Sequence, residues 1–225
     1  MTDLWLGMTS DDILTWLPEL WQGFKISLQV TGLTLLLGIP LGLVFALAVQ
    51  SKLRAMRWSV LALVEIGRGA PALVLIQFMY SGLPQAGLTL GSFSAAVAAL
   101  GLSTAAYTSE IIRAGLQAVP AGQKEAAAVL RLGRLDTLRF VTLPQAIRIA
   151  VPGLLGFSIL VLQSTSLCFT ISLSEIISRA YDIGAITFQY FPVLMLAGLF
   201  FAAVCIPASI LVSWFEGRAG AYAKR

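Results

Sequence analysis

The stretch at 123–144 reads QKEAAAVLRLGRLDTLRFVTLP. It is Ala-rich and helix-favouring, and it lies between two long apolar runs. Lys124, Glu125, Arg131, Arg134, Asp136 and Arg139 interrupt it too often for a membrane span, so it reads as a soluble island. Pro120 and Gly122 end the run before it, after which one short helix is expected over 125–130 and another over 135–141, with the turn near Gly133. The small side chains of Ala126, Ala127 and Ala128 would let the first helix lie flat in a partner's groove, with Glu125 and Arg131 reaching polar groups at its edges. The alternative is a solvated loop joining two spans.

Outward from the island, the chain is strongly apolar. Its 225 residues are 58% hydrophobic and only 12% charged, with a mean hydropathy of +0.87, which is the composition of an integral membrane protein. Five runs come close to the roughly 20 residues that cross a hydrocarbon core. They lie at about 26–49, 58–83, 93–116, 149–171 and 191–215, so the expected fold is all-α, with about five transmembrane helices in a single domain over 24–225. Gly38, Pro40 and Gly42 predict a kink or a close helix contact in the first run. Glu65, Gly67, Arg68, Gly69 and Pro71 interrupt the second, and Pro207 predicts a bend in the fifth.

The ends and the polar connections follow. The pattern of a cleaved secretory signal is not recognisable at the N-terminus. Ser10, Asp11 and Asp12 can instead cap a short helix carrying Trp16, Leu17, Leu20 and Trp21, and the segment over 1–23 is expected to lie along one membrane surface, where indole rings are favoured. The segment at 172–190 is too polar to span and carries Glu175, Arg179 and Asp182; it is either a docking surface or a short helix closing the outer face.

Basic residues are retained on the cytoplasmic side, and they divide unevenly here. Lys52, Arg54, Arg57, Lys124, Arg131, Arg134, Arg139, Arg148, Arg218, Lys224 and Arg225 fall on one side. Only Lys25 and Arg179 fall on the other, with Asp3, Asp11, Asp12, Glu19, Glu175 and Asp182. The N-terminus is therefore expected outside, the C-terminus inside and the island in the cytoplasm. Membrane orientation accounts for the net charge of +4, so lipid rather than nucleic acid is the expected surroundings.

Several chemistries are disfavoured. The chain contains no histidine, the commonest general base and metal ligand, and no catalytic or metal-binding residue is assigned. Cys168 and Cys205 fall in apolar runs and read as packing. None of the four lysines, Lys25, Lys52, Lys124 and Lys224, follows a glycine, so the phosphate-binding loop ending in Gly-Lys is missing, and any ATP with its Mg must be bound by another subunit.

Glu125-Ala126-Ala127, a turn, and then Leu143-Pro144 resemble the cytoplasmic loop of ATP-binding-cassette importer permeases. The family pattern is EAA, three residues, Gly, nine residues, Ile, one residue, Leu-Pro. Arg131 stands where the Gly is expected and Val141 where the Ile is, and since Gly permits backbone conformations that Arg resists, the turn must differ or be displaced to Gly133. Further blocks are similar to the permeases for polar amino acids: Arg68-Gly69-Ala70-Pro71, Glu110-Ile111-Ile112-Arg113-Ala114-Gly115, Val119-Pro120-Ala121-Gly122-Gln123, Leu143-Pro144-Gln145-Ala146 and Ser164-Thr165-Ser166-Leu167. Together they cover nearly the whole chain from the first span onward.

The resemblance implies a type I importer permease fold in the bacterial inner membrane, with cytoplasmic coupling helices. It also implies three partners: a cytoplasmic ATPase dimer, a second permease subunit in a homo- or heterodimer, and a periplasmic substrate-binding protein. The loop residues that would meet the ATPase are Gly122, Glu125, Ala126, Ala127, Arg131, Gly133, Leu143 and Pro144. The chain itself would not be an enzyme. An ATP-independent secondary transporter or channel subunit is the alternative, although such proteins usually show internal repeats, and none is evident here.

Ionisable and polar residues inside spans supply the candidate substrate pathway. Arg68 suits the carboxylate of an amino acid, or else pairs with Glu65 three residues earlier. Ser103, Tyr107 and Glu110 share one face of the third span, expected to point toward the axis of a dimer, while Glu110 and Arg113 can instead neutralise each other. Gln163, Ser164, Thr165 and Ser166 make the fourth span polar, either for a zwitterion or as interhelical hydrogen bonds. Relatives often carry Lys-Asp before Thr-Ser-Leu, and Gln163-Ser164 replaces it here, which leaves the substrate's charge preference open.

Overall fold

The structure is a computed structural model that describes the backbone of residues 10–223 and the side chains of 12–215. Asp3, Lys224 and Arg225, and the side chains of Ser10, Asp11 and Arg218, on which part of the orientation and capping expectations rest, lie outside the described residues. Among those described, helices follow one another without a strand. In order they are α1 (Ser10–Ala48), α2 (Arg54–Gly69), α3 (Ala72–Gln77), α4 (Ser92–Ala118), α5 (Ala121–Val129), α6 (Arg134–Asp136), α7 (Leu143–Ser164), α8 (Ile176–Thr187) and α9 (Tyr190–Ala223).

Four of the described helical stretches are long and apolar enough to cross a membrane: Asp12–Ala48, Ser92–Ala118, Arg134–Ile171 and Tyr190–Phe215. The second expected run, 58–83, is not a straight span. Arg54–Gly69 and Ala72–Ala86 are bent by 109° at the break between them. Pro71 lacks an amide hydrogen and drives the residue before it away from helical geometry, so α2 stops at Gly69 and α3 starts anew after Pro71, which is extended at ψ 136. Beyond α3 the helical path widens into a π-helical turn over Phe78–Gly82, tightens to a 3-10 turn over Leu83–Ala86 and stops at Gly87, whose φ of 84 suits a residue without Cβ.

Two further boundaries differ from expectation. The capped segment around Trp16 is not a separate helix but the first turns of α1, which continues unbroken through Pro40. Trp16 and Leu20 are buried there, and only Trp21 is well exposed among the indoles and leucine expected at the interface, apart from the half-buried Leu17. The second helix expected in the island is likewise no independent unit, because α6, a π-helical stretch Thr137–Thr142 and α7 form one continuous helical path. Helical hydrogen bonding propagates cheaply once nucleated, so an apolar run extends backward into charged sequence until a residue forbids it.

The chain divides into two compact units assembled from discontinuous segments. One holds residues to 36, 70–101 and 159–208; the other holds 37–69, 102–158 and those from 209 onward. In the first, Trp16, Leu20 and Phe24 of α1 pack against Ile176, Ala180 and Ile183 of α8 and Val193 and Ala197 of α9. A neighbouring cluster joins Val30, Leu75, Ile76 and the α4 residues Ala95, Ala96 and Ala99 to Cys168 and Ile171.

The second unit is built on small residues. Lipid is as apolar as leucine, so helices in a membrane adhere through close van der Waals contact, which Gly, Ala, Ser and Thr permit. Gly42 of α1 meets α4 so closely that a Cβ would lie 2.9 Å from the Ala105 carbonyl oxygen, which is the close contact anticipated around Gly38 and Gly42. On α2, a Cβ at Gly67 would lie 2.7 Å from that of Ala106, and on α4 itself a Cβ at Gly115 would lie 2.6 Å from the Ala146 carbonyl oxygen of α7. α4 is accordingly the most enclosed of the four spans, 61% of its apolar window being buried against 17% for α9.

Candidate functional site

The charged loop between α4 and α7 is short and exposed. α5 begins after Pro120, whose missing amide hydrogen is no loss at a helix start. Between 120 and 141 only Ala127 is buried; Glu125 and Ala126 face outward. Gln145 Nε2 donates both to Gln123 Oε1, at 3.3 Å, and to the Val141 carbonyl, at 3.0 Å, tying α5 to the start of α7 beside Leu143 and Pro144. Leu143 is half-buried against Ala46, Ile112 and Leu116, and Pro144 is exposed.

The end of α5 decides the loop's shape. Leu130 N–H closes the last turn on Ala126, Arg131 N–H donates to the Ala128 carbonyl at 2.9 Å and Leu132 N–H to the Ala127 carbonyl at 3.0 Å. This is the Schellman pairing, which satisfies the orphan carbonyls of a helix end and requires the first residue beyond the cap to be left-handed. That residue is Arg131, at φ 56. A residue bearing Cβ is disfavoured there by about 1 kcal/mol, whereas glycine is not.

The anticipated shift of the turn to Gly133 therefore does not occur. Gly133 is extended, at φ −63 and ψ 162, and begins α6; a Cβ on it would sit 3.4 Å from Asp136 Oδ2, an ordinary contact. A Cβ at Gly122 would meet nothing within 4 Å. Arg131 alone occupies the position that glycine would favour, and the geometry survives the replacement.

A second constellation lies in α2 and α4. Arg68 pairs with Glu110 at 3.9 Å and not with Glu65, so the contact is between helices rather than along one. Arg113 grips the same carboxylate, its Nε donating to both oxygens at 3.2 and 3.1 Å and its terminal nitrogen making a further contact. Two guanidiniums thus share one carboxylate. Tyr107 donates from its hydroxyl to the Arg68 carbonyl at 3.1 Å, its ring centroid lies 5.9 Å from the Arg68 guanidinium carbon, and its ring stacks on Phe157 at 5.1 Å. Arg68 Nε is buried without a hydrogen-bond partner. Phe157 was invisible to sequence reasoning, being one aromatic among many in an apolar run.

Ser103 is buried on α4. Gln163, Ser164, Thr165 and Ser166 belong to the other compact unit from Arg68, Tyr107 and Glu110. Ser164, Thr165 and Ser166 donate their hydroxyl protons to carbonyls of their own helix, those of Leu160, Leu162 and Gln163, each at 2.7 Å. What remains on these oxygens is acceptor capacity.

A third group lies in the polar segment singled out at 172–190, where the burial of Glu175 was not expected. The polar segment at 172–190 folds as α8 between two left-handed residues, Ser172 at φ 56 and Phe188 at φ 58, and its N-cap is Glu175, a wholly buried carboxylate. Its oxygens accept from Ile177 N–H at 3.0 Å and Ser178 N–H at 2.9 Å, with Ser27 Oγ at 3.5 Å. Burial pushes this carboxyl up to about 7, against the opposing pull of the two amides and the hydroxyl.

Comparison with known proteins places this geometry. Residues 38–220 match the family of binding-protein-dependent transport system inner membrane components. The chain is 34% identical over 204 residues to the arginine transport system permease protein ArtQ of Bacillus subtilis (strain 168), covering 90% of this chain and 91% of ArtQ. It is 32% identical to the glutamate/aspartate import permease protein GltK of Escherichia coli O157:H7, covering 90% and 94%. A crystal structure of an amino acid ABC transporter with histidines superposes with a TM-score of 0.87 at 31% identity, covering 97% of this chain and all of that one. The inward-facing MetNI methionine ABC transporter shares the fold, with a TM-score of 0.68 at 18% identity over 92% and 99% of the two chains. An all-helical chain with its charged loop between spans and this extent of likeness belongs to the family of binding-protein-dependent transport system inner membrane components.

Proposed function

We propose that this chain is the membrane-spanning permease subunit of an ATP-driven importer of polar amino acids, with its N-terminus outside and its C-terminus and the α5 loop in the cytoplasm. A periplasmic binding protein delivers the substrate, a second permease subunit completes the pathway, and a separate ATPase dimer binds ATP and Mg. Support for the amino acid class comes from relatives named as arginine and glutamate/aspartate permeases along nine-tenths of the chain.

The observation that carries the coupling role is the loop itself. Val129, Leu130 and Leu135 are 83%, 73% and 81% exposed in a folded segment rich in charge, and such apolar exposure marks a contact surface. Closure of the ATPase pair on ATP would move α5, and α7 with it through the Gln123–Gln145 bridge. Substrate moves because its affinity differs between the outward- and inward-facing states, and a tight site alone would not drive it.

For the substrate, the Arg68–Glu110–Arg113 cluster carries one more positive charge than it neutralises, so an amino acid carboxylate can supply the second anion. In the other unit, Ser164 and Ser166 keep partly exposed acceptor oxygens and are separate candidates for contact with a polar substrate. The test is uptake in vesicles holding the ATPase and the binding protein, with hydrolysis measured alongside. Glu125→Arg is expected to abolish assembly and uptake together, and Arg68→Ala to lower uptake at least tenfold with assembly intact. Normal uptake by Glu125→Arg would remove the loop from coupling, and normal uptake by Arg68→Ala would remove Arg68 from the pathway.

A further inference from the structure

We infer that Arg131 is a partner-selecting contact: its guanidinium pairs with a carboxylate on the rim of the ATPase cleft that receives Val129 and Leu130. This rests on the docking role proposed for the loop and adds the chemistry of the surface that must meet it.

Three observations converge on it. The backbone at Arg131 is left-handed, a state that the Schellman pairing imposes and that glycine would occupy freely. Strain of this kind persists only where the surrounding structure imposes it, and it gathers at functional sites. Secondly, the side chain is exposed and makes no ion pair within 4.0 Å with any described carboxylate, although Glu125 and Asp136 share the loop. Arg139, by contrast, already lies over its own neighbour Phe140, at 5.4 Å.

Thirdly, the surroundings define the complement. Exposed Val129, Leu130 and Leu135 form the apolar part of the surface. The same exposed stretch carries Lys124, Arg131, Arg134 and Arg139 against Glu125 and Asp136, so its charge is net positive. Interfaces match apolar centre to apolar centre and opposite charge to opposite charge at the edge, and rim charges select partners by penalising like charge. The matching surface is an apolar cleft with carboxylates at its edge.

The test uses the full chain in vesicles titrated with its ATPase. Arg131→Gly removes the guanidinium while relieving the backbone, so it cannot fail by unfolding the turn. It is expected to raise the ATPase concentration for half-maximal assembly about fivefold to tenfold and to flatten the salt dependence. Arg131→Lys, with the charge kept, stays within about twofold of the parent, and Arg131→Glu is weaker than Arg131→Gly. Assembly of Arg131→Gly at the parent concentration and salt dependence overturns the proposal. Val129→Asp separates the two layers: if it loses assembly while Arg131→Gly does not, docking by the loop stands and the Arg131 contact falls. If both assemble normally, the docking role falls as well.

Discussion

Arg131 is the residue at which family pattern and local physics diverge. The hydrogen bonds that end α5 demand a left-handed backbone there, whichever side chain is present, because Leu132 N–H must turn back to Ala127. The pattern asks for glycine at that place because of this demand. Replacing Arg131 by Gly should therefore stabilise the helix end by about 1 kcal/mol, read as roughly fivefold slower hydrogen exchange of the Leu130 to Leu132 amides. Unchanged or faster exchange would contradict this account. Glu110 is a second decisive residue, since Glu110→Gln leaves Arg68 and Arg113 without a counter-charge inside membrane helices. A loss of about 1 kcal/mol is expected, since the three side chains are 25–37% exposed, visible as a lowered unfolding temperature in detergent.

At the scale of elements, close helix contacts and caps hold the parts in place. Gly115→Ala would force α4 off the α7 backbone and should lower the detergent unfolding temperature, at a cost of about 1–3 kcal/mol. Gly101→Ala, on the same helix but with nothing within 4 Å of its Cβ, should leave that temperature unchanged or raise it. The cap of α8 predicts a pH dependence. Glu175 binds its proton more tightly in the folded protein, so the stabilisation due to protonation is complete below the ordinary value of 4.5 and is lost as pH rises to about 7. Unfolding temperature should fall across that window by the equivalent of on the order of 2 kcal/mol. Glu175→Gln, which keeps one acceptor for the α8 amides, should flatten the slope, and an equally steep slope in this variant would assign it to other groups.

For the whole molecule, the orientation proposed from charge placement is open to direct labelling. Gly122→Cys and Asp182→Cys put thiols at exposed positions, while the native Cys168 and Cys205 are buried. An impermeant maleimide should label the first only in inside-out vesicles and the second only from outside, and labelling of both from one side would refute the proposed topology. The presence of helices, the apolar character of the spans and the charged stretch between two of them were legible in the sequence, because burying or exposing each residue in lipid has a cost that accumulates locally along the chain. The break at Pro71 was legible in part, as an interruption around Glu65 to Pro71, but not as a turn of 109°.

Other features needed the tertiary structure because they depend on which segments meet in space. Sequence spacing left Glu65 and a substrate equally open as partners of Arg68, and only the packing of α2 on α4 through Gly67 brings Glu110 within reach. Nothing in the local text marks Glu175 as buried; the close fit of Gly23 on α8, where a Cβ would lie 2.8 Å from Ile176, encloses it. The island's charge and its likeness to a permease family were determined by the sequence alone, whereas its end was not, because helix runs on from Arg134 into the span. That Arg131 keeps the turn which glycine would make was decided by the three-dimensional hydrogen bonding, since a helix end must satisfy its carbonyls and accepts a strained residue to do so.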